Sequence, residues 1–213
     1  DAAALAALAA ETGGTAVPLP DAARAADVEA TVAEALARHG RLDGAVNCVG
    51  SVLLKPAHLT KDEEFQQVLA VNLGSAFALV RAATRAMERA GGAIVLVSTA
   101  AATVGLPNHE AIAAAKAGIE GLARSAAATY APRGIRVNVV APGLVRSKLT
   151  ARITGNEAAL KASLALHALP RLGEPDDVAS ALEFLLDPAN AWITGQVLGV
   201  DGGLGRLKAR AAG

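Results

Sequence analysis

The spacing of apolar residues divides the chain into alternating helical and extended segments. Between residues 21 and 40, Val28, Val32 and Leu36 recur every four residues, which predicts an amphipathic helix that ends at Gly40. Unbroken runs of aliphatic and β-branched residues predict strands that are buried on both faces of a sheet. These runs occupy residues 44–49, 93–98, 135–141 and 196–200, and a shorter run at residues 16–19 predicts one further strand.

Turn and capping residues delimit four further helices, which the sequence places at residues 1–14, 60–91, 108–130 and 176–186. Thr60 and Glu63 match the capping box that opens a helix, and Asn108 is the predicted N-cap of the third of these helices. Pro175 suits the first turn of the last one. Strands that alternate with helices of this length predict an α/β fold, with one Rossmann-like domain over residues 1–213 and a doubly wound parallel sheet.

The composition excludes several classes of partner. The 20 basic and 20 acidic residues cancel and no basic block occurs, so nucleic acid is not expected to bind. Apolar residues are interspersed with charges and glycines, and no apolar run approaches the roughly 20 residues of a membrane span. Cys48 is the only cysteine, and the four histidines lack metal-ligand spacing, so we expect no disulfide and no metal site. These features predict a cytoplasmic protein that acts on a small molecule.

Five segments carry a family resemblance that covers nearly the whole chain. In order they are LDGAVNCVG, VNLGSAF, IVLVSTAAATVGLPNHEAIAAAKAGIEGL, APRGIRVNVVAPGLVRS and RLGEPDDVASALEFLLDPANAWITGQVLGVDGG. Single pieces of this kind are common, but their order and spacing together are specific. The chain resembles the short-chain dehydrogenase/reductase family, and the resemblance implies a Rossmann-like fold and a nicotinamide cofactor, NAD or NADP.

The resemblance also implies elements that this sequence does not contain. In that family a first strand, a TGxxxGxG turn, a helix and a second strand come before the segments above, and the turn binds the dinucleotide pyrophosphate. We therefore expect the chain to be N-terminally incomplete, with a sheet that lacks its first two strands. The strands at residues 16–19 and 44–49 would then stand roughly 14 Å apart, at about 4.8 Å for each strand step.

Three residues match catalytic positions of the family, and a fourth position departs from the pattern. The resemblance gives Lys116 two roles, which are to bind the nicotinamide ribose and to lower the pKa of a tyrosine four residues earlier. That tyrosine is replaced by Ile112, which has no proton to donate. Thr99 matches the substrate-positioning hydroxyl, whereas Ser98 should face the opposite side of the strand. Asn72 matches the proton-relay asparagine.

Each of these roles has a structural alternative. Lys116 could be a solvated helix lysine, Asn72 a helix-bend residue that caps a carbonyl, and Thr99 a strand-end hydroxyl bonded to backbone. His109 is the candidate substitute for the missing phenol, because it precedes Ile112 by three residues and Lys116 by seven on one helix face. It would lie about 4.5 Å too far toward the helix start, and its alternative is a polar residue near an N-cap.

A further set of residues matches the dinucleotide cleft. Asp21 and Ala22 correspond to positions near the adenine, although Asp21 could equally be the N-cap of its own helix. Residues 148–167 correspond to the family's lid over the substrate, and their Leu, Ile and Ala content predicts a modestly apolar ligand. The expected cofactor-binding residues are Asp21, Ala22, Asn47, Val49, Gly50, Lys116, Pro142, Gly143, Val145 and Ser147.

Three functions are compatible with these residues. The first is an NAD(P)-dependent oxidoreductase that acts on a small apolar carbonyl/alcohol pair, with Thr99, water or His109 moving the proton. The second follows from Ile112 and is a catalytically silent dinucleotide-binding or scaffold homologue. The third is a subunit that only builds an oligomer. The resemblance implies a homodimer or homotetramer through the helices around residues 72–89 and 108–130, which every one of these functions permits.

Overall fold

A computed structural model describes residues 2–208, which contain a sheet of four parallel strands. The strands are β1 (Gly44–Asn47), β2 (Gly92–Val97), β3 (Ile135–Pro142) and β4 (Val197–Val200), hydrogen-bonded in that order. In the ladder Val46 stands opposite Val95, and Val95 stands opposite Asn138. Each strand matches a predicted run to within two residues at either end, and the parallel α/β fold is confirmed.

Two helices precede β1, and the others lie in the connections between the strands. The helices are α1 (Ala2–Thr12), α2 (Ala25–His39), α3 (Asp62–Leu69), α4 (Ser75–Ala86), α5 (Glu110–Tyr130), α6 (Ala151–Thr154), α7 (Glu157–Leu164) and α8 (Pro175–Leu186). A π-helical turn, Ala70–Gly74, joins α3 to α4. The resulting continuous stretch Asp62–Ala86 is long and apolar enough to cross a membrane by length and composition alone. However, half of its most apolar 18-residue segment is buried inside the protein, as in a core helix.

The sheet is buried because successive side chains face different helices. Ile94 and Leu96 of β2 pack with α4 and α5 in one apolar cluster, together with Ile135 of β3. Val95, which lies between Ile94 and Leu96 in the sequence, points the other way and packs against Leu185 of α8. This alternation places helices on both faces of the sheet, as a doubly wound fold requires.

The predicted strand at residues 16–19 is wrong. That segment has no regular secondary structure, and β1 is an edge strand of the sheet within the described residues. A strand needs a neighbour to satisfy its backbone groups, and Pro18 has no N–H to contribute to a ladder. The local run of apolar residues was therefore insufficient to predict a strand.

Three predicted helix caps are also wrong. Helix α3 begins one residue later than the Thr60–Glu63 pattern predicts, because Glu64 accepts a hydrogen bond from the backbone N–H of Lys61. Asn108 has φ 63° and precedes the actual N-cap of α5, His109. Asp21 lies four residues before α2 begins and instead caps the preceding turn, where its carboxylate accepts from the N–H of Ala23.

Asn138 joins the central strand β3 to the segment that leads into β4. Its side chain is fully buried. The amide nitrogen donates to Ile193 O at 2.9 Å, and the amide oxygen accepts from Gln196 N at 3.0 Å. One side chain therefore satisfies two backbone groups that the ladder does not reach.

The Asn138→Ala variant should lower the free energy of unfolding by about 3 kcal/mol, because a buried group left without a partner costs about 1–3 kcal/mol. Urea denaturation measures this change. The Gln196→Ala variant is the control, since the Gln196 side chain is exposed, and its effect should stay within about 0.5 kcal/mol. Equal denaturation midpoints for the two variants would contradict the assigned role of Asn138.

Candidate functional site

The candidate site lies at the carboxyl ends of β1, β2 and β3. These strands end at Asn47, Val97 and Pro142. Ligands of open parallel sheets bind in the crevice outside these ends, where loops and helix ends supply the contacts. The π-helical turn between α3 and α4 and the middle of α5 bring further side chains to the same edge.

Asn47 shapes the turn that leaves β1. Its amide nitrogen donates to Ser75 Oγ at 3.0 Å, and its amide oxygen accepts from Val49 N at 2.8 Å. The side chain is buried, so both bonds are shielded from water. This arrangement fixes the backbone of Val49 and Gly50, the two residues that the resemblance places in the dinucleotide cleft.

Asn72 occupies the π-helical turn, where the helix departs from the α-helical hydrogen-bond pattern. Its amide nitrogen donates to Val68 O at 2.9 Å and to Ser51 Oγ at 3.0 Å, and its amide oxygen accepts from Ser51 N at 3.2 Å. The expected structural alternative, a helix-bend residue that caps a carbonyl, therefore describes this geometry. No pattern in the sequence marks the two hydrogen bonds to Ser51, which anchor the loop after β1.

Gly50 separates Asn72 from Lys116. A Cβ added at Gly50 would lie 3.1 Å from Asn72 Oδ1 and 3.4 Å from Lys116 Nζ. Both polar groups therefore crowd the same side of the Gly50 backbone, and a larger residue would press against them. The structure therefore brings Asn72 and Lys116 close to each other beside Gly50.

Lys116 is a buried cation. Its side chain is 7% exposed, and Nζ donates to Val97 O at 2.9 Å, at the carboxyl end of β2. Burial lowers its pKa to about 8, an effect that the nearby Cys48 partly offsets. Burial also raises the pKa of the Cys48 thiol, although this side chain still reaches solvent. Lys116 is therefore an ammonium at neutral pH, and the alternative of a solvated helix lysine is wrong.

The two adjacent hydroxyls at the end of β2 face different partners, as predicted. Ser98 is buried and donates to Glu120 Oε1 at 2.8 Å, and it lies 3.2 Å from Lys116 O. Thr99 accepts from Ala101 N at 3.3 Å and lies 3.5 Å from Pro142 O. Ser98 therefore fixes α5 at the level of Lys116, whereas the Thr99 hydroxyl keeps only long contacts at the sheet edge.

Ile112 belongs to a small apolar cluster one helical turn before Lys116. The side chain is 4% exposed and is grouped with Val68, Ala111 and Ala115, with Phe65 among the partly buried residues around them. The position that holds the family's tyrosine therefore contributes here to the packing of α5 against α3. It offers a hydrocarbon surface and no proton.

His109 lies outside the helix that carries Lys116. It is the N-cap of α5, with φ −108° and ψ 10°, and its Nδ1 lies 2.7 Å from Pro107 O. His109 thus stands at the start of the helix that carries Ile112 and Lys116, whose first helical residue is Glu110. The alternative that the sequence offered, a polar residue at the N-cap, describes its position.

The expected cofactor residues after β3 form a loop next to Thr99. Gly143 N donates to Val200 O at 3.1 Å, and Val145 forms an isolated bridge with Gly173. Ser147 is exposed, and its hydroxyl lies 3.0 Å from Thr150 Oγ1. Asp21 and Ala22 lie elsewhere in the chain, in the turn before α2, and α2 packs against α4.

His167 is a buried polar residue that the sequence left without a role. Its side chain is 6% exposed, and its Nε2 accepts a hydrogen bond from Leu144 N at 3.2 Å. Neither periodicity nor motif spacing marks it, since Leu144 lies 23 residues away on another loop. Within residues 2–208, no group of three His, Cys, Asp or Glu side chains is arranged to hold a metal ion.

Comparison with known proteins agrees with this arrangement. The family described as enoyl-(acyl carrier protein) reductase matches residues 1–205. The 2,5-dichloro-2,5-cyclohexadiene-1,4-diol dehydrogenase of Sphingobium indicum is 38% identical over 86% of this chain and 75% of its own length. A protein of Xanthobacter autotrophicus named inactive 2-(S)-hydroxypropyl-CoM dehydrogenase 2 is 40% identical over 83% of this chain and 80% of its own length.

Solved structures agree as well. A short-chain type dehydrogenase/reductase from Mycobacterium ulcerans superimposes with a TM-score of 0.91 at 31% identity, covering 98% of this chain and 78% of its own. ElxO with NADP bound has a TM-score of 0.81 at 30% identity, covering 86% of this chain and 75% of its own. The matched family, the named relatives and the shared fold give one conclusion: the chain belongs to the short-chain dehydrogenase/reductase family.

Proposed function

We propose that this protein is an NAD(P)-dependent oxidoreductase that interconverts a small apolar carbonyl compound and its alcohol. The observation that carries the proposal is the buried ammonium of Lys116, which lies beside Asn72 and Gly50 at the carboxyl ends of the strands. A buried cation is costly unless it has a partner, and the one hydrogen bond to Val97 uses one of its three donors. The remaining donors suit the hydroxyls of a ribose.

The residues around this ammonium fit a dinucleotide. Gly50 has no Cβ, which lets its backbone lie close to Asn72 and Lys116, and the loop of Pro142 and Gly143 borders the same edge through the contact of Pro142 O with Thr99. Lys116 would hold the nicotinamide ribose, and Asp21 and Ala22 would lie near the adenine. Bound in this cleft, the cofactor supplies or takes up a hydride. ElxO, a solved relative with NADP bound, supports this assignment.

The proton for the substrate oxygen must come from a group other than residue 112. Of the candidates, His109 is held by Pro107 O at the start of α5. The Thr99 hydroxyl has only contacts of 3.3 Å and 3.5 Å, so it can turn toward a substrate oxygen at low cost. We assign proton transfer to water, with Thr99 positioning the oxygen and Asn72 holding the loop of Ser51 beside it.

Ile112 favours a second function, a homologue that binds the dinucleotide but does not turn over substrate. Its aliphatic side chain is part of an apolar cluster, so the phenol position serves helix packing. The similarity to a Xanthobacter autotrophicus protein named inactive supports this candidate. Both candidates bind the cofactor, but only the oxidoreductase turns over substrate, so a turnover measurement separates them.

The lid supports the apolar character of the substrate. Residues 148–167 include Leu149, which is 52% exposed, and the partly exposed Ile153, Leu160 and Leu164. When a ligand covers apolar side chains near a cleft, binding is stabilised by about 25 cal/mol for each Å² buried.

We place the protein in the cytoplasm, in keeping with its single cysteine.

An apolar groove on the outer helices supports a homo-oligomer. The groove encloses about 480 Å³ and is lined by Gln66, Leu69, Leu73, Phe77 and Leu122, among others. Phe77 is 52% exposed at its edge. Small residues of the same helices do not contribute to this contact, because Ala82, Ala83, Ala126 and Ala127 are buried in this subunit. We infer that the groove accepts the same helices of a second copy.

The Lys116→Met variant should bind the reduced dinucleotide about tenfold more weakly or worse, because a hydrogen bond to a charged group contributes about 1.5–3 kcal/mol.

The same interaction predicts that the affinity of the wild type for the dinucleotide depends on pH. With a pKa of about 8, the ammonium is present below that value and lost above it, so wild-type affinity should fall between about pH 7 and about pH 9.5. Fluorescence titration with NADH and NADPH measures both effects. The variant should show a flat profile, and Lys208→Met, at an exposed lysine, is the control.

The Ile112→Tyr variant separates the two functions. A phenol one turn before Lys116 should raise turnover of small ketones by about 10²- to 10⁴-fold, the usual contribution of a positioned acid. The Ile112→Phe variant is the matched control, since it adds the ring without the hydroxyl. Measurable wild-type turnover supports the oxidoreductase. Cofactor binding without wild-type turnover, together with turnover in Ile112→Tyr alone, supports the silent homologue, and equal rates in the two variants would exclude the phenol as the missing group.

The Phe77→Glu variant should shift the protein toward the monomer, because it removes an apolar ring from the groove and puts there a carboxylate that must lose its water at the interface, even when Arg81 of the same helix pairs with it. Light scattering coupled to size exclusion gives the mass at several concentrations. Leu198→Glu, at an exposed position of β4 on another face, should leave the mass unchanged. A monomeric wild type would refute the inferred oligomer.

A further inference from the structure

His167 lies where three segments meet. Its Nε2 accepts from Leu144 N in the loop after β3, and its Nδ1 lies 2.8 Å from Ser163 O near the end of α7. Because a backbone N–H can only donate and a carbonyl can only accept, the ring must be neutral with its proton on Nδ1. The two contacts thus fix one tautomer of a buried side chain.

The imidazole is in close contact with the backbone on both sides. A Cβ added at Gly143 would lie 2.8 Å from His167 Nε2 and 2.9 Å from Asp201 O. A Cβ added at Gly202 would lie 3.3 Å from His167 Cδ2. The ring therefore fills the space between the loop after β3 and the loop after β4, and neither loop can approach further.

The backbone that His167 holds also borders the candidate site. Pro142 O is the acceptor nearest to the Thr99 hydroxyl, and Gly143 N is paired with Val200 O. The Leu144 N–H, next along the chain, has the imidazole as its acceptor. Since an unpaired buried N–H is costly, loss of the imidazole acceptor would move this backbone relative to Thr99.

We propose that His167 is a positioning residue for the nicotinamide half of the dinucleotide. It holds the backbone of residues 142–144 at the edge of the cleft and joins that backbone to α7 of the lid. The proposal rests on the proposed function, because it assigns the part of the cofactor that this loop contacts. His167 would then belong to the site, although it lies outside the sequence motifs that contain Lys116 and Asn72.

The charged groups around the ring are engaged elsewhere. His167, Asp201, Arg171 and Asp177 line one cavity of about 350 Å³. The Asp201 carboxylate accepts from Gly203 N and Gly205 N, and Arg171 pairs with Asp177 through both of its terminal nitrogens. Protonation of Nε2 would set an N–H against the N–H of Leu144, so the positioning contact requires the neutral ring.

Two variants and two ligands test the proposal. His167→Leu removes both hydrogen bonds at similar volume, whereas His167→Gln keeps an acceptor within reach of Leu144. The probes are NADH and ADP-ribose, which lacks the nicotinamide, or NADPH and 2′-phospho-ADP-ribose if the wild type prefers the phosphorylated cofactor. His167→Leu should bind NADH about tenfold more weakly, with ADP-ribose affinity unchanged, and His167→Gln should restore most of the loss. His58→Gln, at an exposed histidine, is the control.

A further measurement needs no assumption about activity. Amide hydrogen exchange at Leu144 should quicken in His167→Leu and stay slow in His167→Gln. If the leucine variant does not fold, His167→Asn takes its place, because its shorter amide can still donate to Ser163 O but does not reach Leu144 N, and it should show the same losses.

The outcomes distinguish this proposal from the proposed function. If the wild type binds neither ligand, the proposed function fails and this proposal fails with it. If the wild type binds both, an equal loss of both affinities in His167→Leu, or no loss of either, overturns the positioning role alone.

Discussion

The site depends on keeping one cation out of water at the carboxyl end of β2. Lys116 reaches this place from the middle of α5, and its ammonium donates to Val97 O, the last carbonyl of that strand. Helix α5 is held at this level by the buried Ser98, which bonds Glu120 one turn further along. Because burial disfavours a charged amine, the position is stable only with partners, and the cleft lies where further partners can enter. Gly50 and Asn72 are arranged around the same charge.

Ile112 shows how one position can serve packing or chemistry. In this chain the side chain joins Val68 and Phe65 in an apolar cluster that fixes the start of α5 on α3. A hydrocarbon there stabilises the helix pair that positions Lys116, so cofactor binding and proton donation are separable properties of one helix. The family fold therefore persists without its usual acid, and whether the reaction also persists depends on groups at the strand ends.

The strands, their order and the residues at their ends follow from the sequence because each is a local or repeated pattern. Runs such as residues 93–98 are too apolar to lie anywhere except in a covered sheet, and Lys116 and Asn72 are recognisable by motif. The helix caps were predicted less well, although Thr60 and Asn108 are good capping residues. Glu64 caps α3 from Lys61, and the backbone geometry at Asn108 makes His109 the N-cap of α5, so both helices start one or two residues later than predicted. The run at residues 16–19 failed as a strand because pairing is not local.

The sequence by itself thus determined the fold class, the family and the absence of a hydroxyl at residue 112. Only the tertiary structure decided which polar groups meet. It placed His167 against Leu144, 23 residues earlier, and Ser51 against Asn72, and it made His109 the N-cap of the helix that carries Lys116. The physical reason is that residue spacing within a motif predicts which side chains are neighbours in one helix or strand. Contacts between loops depend instead on how the helices and strands pack together, and residue spacing does not predict that packing.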